Sequence, residues 1–145
     1  MRVRLSVTTF GKEVEGLIEK AVIFTCCDAG IEDGEISVAF LGNSEMQALN
    51  LSYLSVDKPT DVIAFALYGP EEPVLGDIYI GYEQAQLQSG ERGITLEVEL
   101  VRLAIHGTLH VLGHDHPESG DRSRSDMFLL QEHLLAEFIG KRFPS

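Results

Sequence analysis

The sequence has no tryptophan, only two cysteines and few basic residues, 11 Lys and Arg against 23 Asp and Glu. Each shortage excludes something. Cys26 and Cys27 are adjacent, too strained a pairing for a structural staple, and no Cys-x-x-Cys spacing offers a thiolate metal site. Two reduced thiols are expected, in a cytoplasmic protein. Long apolar runs are also missing. The opening Met1–Val7 segment alternates charged or polar with apolar residues, unlike a signal peptide, and no later stretch approaches the apolar length of a membrane span. A formal charge of −12 argues against a surface that wraps bare nucleic acid by neutralising its phosphates. Any such contact must draw on a local positive site, a bound metal's charge or a partner with basic surface.

What is there fits one domain spanning residues 1–145, long enough to bury a continuous core. Val3, Leu5 and Val7 alternate with Arg2, Arg4 and Ser6, giving a first strand with one buried face. Val14, Leu17, Ile18, Ala21 and Thr25 then recur at helical spacing, predicting a helix from about Lys12 to Cys26. Glu35 to Leu41 reads as a strand. Ser44 with Gln47 three residues on forms a capping-box signature that opens a second helix through Ala48 and Leu51. Beyond Pro59, Val62–Leu67 and Asp77–Ile80 read as short strands, and Gly81–Gln88 as a short helix. Thr95–Leu112 is apolar on nearly every side of a helical wheel, the pattern of a buried helix. A last amphipathic helix, about Arg124 to Ile139, aligns Met127, Leu130, Leu134 and Phe138. The expected class is α+β: a small mixed sheet of about four strands packed with about five helices.

Four of the five histidines fall in the run His106-Gly-Thr-Leu-His110-Val-Leu-Gly-His114-Asp-His116. Residues four apart on a helix share a face, so His106 and His110 can point two imidazoles at one ion. Gly113 allows a sharp turn after the helix, and His116 returns as a third ligand. The expected metal site thus spans the buried helix and the turn after it. These offsets match the metzincin zinc proteases, but the Glu that serves those enzymes as general base is replaced by Gly107. Three imidazoles leave an open coordination position, the design of a catalytic site, and suit one Zn2+ per chain, with nickel, cobalt or copper as other acceptable ions. His114 lies beyond the helix break and is assigned a supporting or exposed role. His133 carries no signal. Asp115 could orient a ligand or simply form the turn.

The histidine run resembles the YbeY family signature His-Gly-x-Leu-His-Leu-x-Gly-Tyr/His-Asp-His, with Val111 in place of one leucine. A second block, Leu49-Asn50, Tyr53, Asp57, Pro59-Thr60-Asp61-Val62 and Phe65, is similar to another stretch of that family, and Leu75-Gly76-Asp77-Ile78 to a third. The resemblance runs from about Leu49 to Glu118. It implies a metal-dependent, single-strand-specific endoribonuclease of small-subunit ribosomal RNA maturation and ribosome quality control, with His106, His110 and His116 as metal ligands. The implied partners are ribosomal RNA and the small ribosomal subunit or its assembly proteins. Leu54 stands where the family usually has an arginine thought to serve RNA, and Ala64 and Ala66 stand where Ser and Pro are usual.

Asp61, Asp77 and Asp115 are the candidate acids and bases, although aspartates at such places also cap turns. Arg102, four residues before His106, and Lys58, beside the second block, are candidate substitute cations; for Arg102 the competing assignment is an ion pair with Glu99. Two other functions are weighed. One is a catalytically weak assembly factor whose metal stabilises a docking surface, which Leu54 and the acidic charge favour. The other is a metallohydrolase of another substrate such as peptide, against which Gly107 counts.

Overall fold

The structure, a computed structural model, describes residues 1–6, 12–114 and 121–142. The order is β1 (Arg2–Ser6), α1 (Lys12–Asp28), β2 (Gly34–Leu41), α2 (Asn43–Leu54), β3 (Val62–Ala66), β4 (Val74–Gly81), α3 (Tyr82–Arg92), α4 (Leu96–Val111) and α5 (Asp121–Arg142). The four strands form one sheet in the order β1-β2-β4-β3, in which β1, β2 and β4 are parallel and β3 is the antiparallel edge. This is the α+β class expected from the sequence. No helix among the described residues is long and apolar enough to cross a membrane.

Helix α4 is the centre of the molecule. It packs against α1, α3, α5, β3 and β4, and buries Leu100, Val101, Leu103, Ala104, Ile105, Leu109 and Val111, so its apolar residues run around the whole wheel. Thr95 caps its start, accepting a hydrogen bond from the Val98 backbone N–H at 3.2 Å. Close approach to the sheet relies on two glycines. A Cβ on Gly76 of β4 would lie 2.5 and 2.8 Å from the two methyls of Val111, and one on Gly107 would lie 2.7 Å from Ile78 Cγ2. The close spacing of helix against strand is therefore set by absent side chains.

On the other side of α4, helix α5 buries Met127, Leu134, Leu135 and Phe138, and Phe138 meets Phe24 of α1 with ring centroids 5.4 Å apart. The opposite face of the sheet belongs to α2, whose Tyr53 meets Phe65 of β3. Directly opposed residues share a face. Phe65 pairs with Asp77, whereas their neighbours Gly76 and Ile78 face α4, so Asp77 projects away from α4.

Three boundaries differ from expectation for tertiary reasons. Helix α2 starts at Asn43, not after a Ser44 cap. The Asn43 backbone N–H donates to the Glu83 carboxylate of α3 at 3.1 Å, and Glu45 accepts from Gly42 at 3.4 Å. A side chain 40 residues away thus supplies what a local serine was expected to. Strand β4 begins at Val74 because it pairs along its full length with β2. Helix α3 continues to Arg92 and ends at Gly93, whose φ of 68° closes it.

Candidate metal centre

Helix α4 ends in a Schellman turn. The Gly113 N–H donates to the His110 carbonyl at 3.0 Å, the His114 N–H to the Leu109 carbonyl at 2.9 Å, and Gly113 has φ 100°. From the β3–β4 loop, the Tyr68 hydroxyl donates to the Val111 carbonyl at 2.7 Å. The last turn of the helix is thereby tied to the sheet. Within it, His106 and His110 lie one turn apart with ring centroids 4.6 Å apart and planes at 71°. Their Nε2 atoms converge to 3.1 Å. Zn–N bonds of about 2.0–2.1 Å in a tetrahedron give an N···N edge of roughly 3.3–3.4 Å, so this pair fits two adjacent corners of a zinc site. His114 is exposed, as expected of a residue past the break. His133 is exposed beside Glu137 on α5. The expected third ligand His116, and Asp115, lie outside the described residues.

The orientation of His106 is set from α5. Its Nδ1 lies 2.5 Å from Gln131 Oε1, and the Gln131 amide NH2 donates to Glu132 Oε2 at 2.9 Å. Glu132 in turn takes a hydrogen bond from Arg102 Nη2 at 3.1 Å. Arg102 also bonds Glu99 at 3.1 Å, so the ion pair weighed against its role as a substitute cation is present. Its guanidinium faces carboxylates. Glu99 is fully buried and further held by Gln88 at 2.7 Å and Arg92 at 3.5 Å. Burial lifts its carboxyl above the ordinary pKa, outweighing Gln88 and Arg92, and Asp61 and Glu132 add to the rise.

Two cavities flank the histidine pair. One, of about 250 Å³, is lined by His106 and Gln131 together with Asp61, Glu99 and Arg102. The other, of about 480 Å³, is lined by His110, Ala64, Ala66, Tyr68 and Gly113. Asp61 thus lines the same cavity as His106, its Oδ2 3.3 Å from Gln88 Nε2. Asp77 does not: it lies on the far side of the sheet, where burial, Asp77 and Tyr53 raise the pKa of Tyr79. The two alanines leave the cleft beside His110 without polar side chains at those places. Leu54, at the end of α2, is 56% exposed and lines neither cavity.

Sequence reasoning missed Gln131 and Glu132. A signal for the first existed. Met127, Gln131, Leu134 and Phe138 all lie on the buried side of α5, and a polar residue on such a stripe requires a partner.

The model of the family described as "Endoribonuclease YbeY" matches residues 2–139. The chain is 42% identical over 134 residues to the endoribonuclease YbeY of Oceanobacillus iheyensis, covering 84% of this chain and 86% of that relative. It is 41% identical over 111 residues to the one from Acholeplasma laidlawii, covering 77% and 80%. A Thermotoga maritima protein known from its solution structure superposes with a TM-score of 0.68 at 30% identity, over 96% of this chain and 90% of that one. Motif, fold and likeness along nearly the whole chain agree: the chain belongs to the YbeY endoribonuclease family.

Proposed function

We propose that this chain is a metal-dependent, single-strand-specific endoribonuclease of small-subunit ribosomal RNA maturation and ribosome quality control, with His106, His110 and His116 holding one zinc ion in the cytoplasm. Its partners are then ribosomal RNA and the small subunit or its assembly proteins. The observation that carries the reading is the convergence of His106 and His110 Nε2 to 3.1 Å at the junction of two cavities, within a family of endoribonucleases. Bound there, the ion supplies positive charge and Lewis acidity beside a scissile phosphate. The described cations that line the cavity beside His106, Arg92 and Arg102, are engaged by Glu99 and Glu132, and the net charge is −12. The residues instead hold the site rigid, through Gln131 on His106 and Tyr68 on the end of α4.

Two alternatives differ in standing. A peptide hydrolase of metzincin type needs a carboxylate at position 107, where even a Cβ meets Ile78 at 2.7 Å. A catalytically weak assembly factor draws support from exposed Leu51, Tyr53, Leu54 and Val56 at the end of α2, an apolar patch where the family usually carries a cation. Cleavage of a structured ribosomal RNA fragment separates the two surviving readings. The expected result is cutting in single-stranded segments that stops with a chelator, returns with zinc and is absent from His110→Ala. Ribosome association without any metal-dependent cutting overturns the nuclease reading in favour of the assembly factor.

A further inference from the structure

We infer that Gln131 is the positioning residue of the metal centre: its side-chain amide, itself oriented by Glu132, fixes His106 as the Nδ1–H tautomer and turns the Nε2 lone pair toward the site shared with His110. The inference rests on the metal reading and assigns a new residue to that site.

The logic is one of donors and acceptors. The Glu132 carboxylate only accepts, so the atom of Gln131 that lies 2.9 Å from it is the NH2 end. The carbonyl end therefore faces His106, and it too can only accept. At 2.5 Å, His106 Nδ1 must be the donor. A neutral imidazole with its proton on Nδ1 carries a lone pair on Nε2, the form a metal ligand needs. Reversing the amide would place NH2 against Nδ1 and put the ring proton on Nε2, facing His110.

Glu132 is held in turn. Arg102 Nη2 binds its Oε1 at 3.1 Å, leaving Oε2 for Gln131. Arg102 Nε also lies 3.1 Å from Oε2, at an angle that makes no hydrogen bond. Arg102 precedes His106 by four residues on α4, while Gln131 and Glu132 belong to α5, so the packing of these two helices is what sets the imidazole. Gln131 is 6% exposed, so its buried carbonyl depends on His106 Nδ1 for a partner. The role of Arg102 is accordingly to act on the histidine through Glu132 and Gln131.

The test uses the full chain stripped of metal, at a pH where imidazoles are neutral, with 15N spectra reading which nitrogen of His106 carries the proton. Wild type is expected to show Nδ1–H. Gln131→Met, of similar length without an acceptor, should move the proton toward Nε2 and weaken zinc binding about 10–100-fold in a competition with a chromogenic chelator. Gln131→Glu alone would set a carboxylate against Glu132, so the acceptor is kept in the exchanged pair Gln131→Glu with Glu132→Gln, which should hold the Nδ1–H tautomer that Gln131→Met loses; a purely packing role would leave the tautomer unchanged in Gln131→Met as well. Should Gln131→Met fail to fold, Glu132→Gln is expected to release the amide and mix the tautomers. An unchanged tautomer in Gln131→Met, or the exchanged pair behaving like Gln131→Met, overturns the inference. If wild type takes up no zinc while Gln131→Met still moves the proton, the metal reading fails and the hold of Gln131 on the ring stands.

Discussion

Installing the protease base by Gly107→Glu should destabilise the protein rather than create a peptidase. Gly107 is buried in α4 against Ile78, which has no exposed surface and lies in β4 between two neighbouring strands. A Cβ alone would sit 2.7 Å from Ile78 Cγ2 and 3.3 Å from two further carbons of that side chain. Overpacking of this kind costs about 1–3 kcal/mol, of which the better helix propensity of alanine returns about 1 kcal/mol. Gly107→Ala should therefore lose up to about 2 kcal/mol. A glutamate adds a carboxylate to an apolar contact, at several kcal/mol more, or must drive α4 from the sheet. Taking about 3 kcal/mol as the lower bound, Tm should fall by roughly 6–12 °C, at 2–4 °C per kcal/mol for a domain of this size. Thermal and urea unfolding of both variants, beside a peptide-cleavage panel, measures this. Gly107→Ala clearly above wild-type stability, or a well-folded Gly107→Glu that cuts peptides, would refute the closed contact.

Arg102→Ala should act on the fold before it acts on RNA: leaving buried Glu99 short of a partner costs about 3–5 kcal/mol, toward the lower end because Arg92 remains at 3.5 Å. Urea unfolding checks it, and a variant of wild-type stability that no longer cuts RNA would return Arg102 to the substrate. Glu99 has a raised pKa in the folded state, so the folded protein binds that proton more tightly than the unfolded chain, and the associated stability is present at low pH and lost as pH rises through the folded value. Relative to Glu99→Gln, wild type should thus lose ground in urea midpoint as pH climbs from about 4.5 to 8; a flat difference or the opposite slope would contradict the burial argument.

Local pattern made much of this fold legible. The alternation at Val3 and Leu5, the wheel of α4 and the stripe of α5 each report burial within one element, and burial has the period of the element that carries it. The turn at Gly113 was readable for a similar reason, since a helix must end somewhere before His114 and glycine tolerates the positive φ. What escaped depends on residues distant in sequence. The start of α2 is set by Glu83, 40 residues on, which no scan for serine caps can find. Asp61 and Asp77 look alike in the sequence, each in a family block beside a strand. Their places in the fold separate them: Asp77 sits within β4, facing away from α4, whereas Asp61 precedes β3 and lines the same cavity as His106. Arg102 with Glu99 was a visible three-residue spacing, whereas Glu132 completes the pair from another helix. In the site itself, the His106–His110 spacing gave the convergence directly; the expectations for Asp115 and His116 lie outside the described residues.

Zinc titration of metal-stripped protein by calorimetry tests the central claim most directly, run on wild type, His110→Ala and His116→Ala. One ion per chain in wild type, with tight binding lost in both variants, is the expected result. Wild type that takes up no zinc or other divalent ion, or binding unchanged when either histidine is removed, would contradict a three-histidine metal centre.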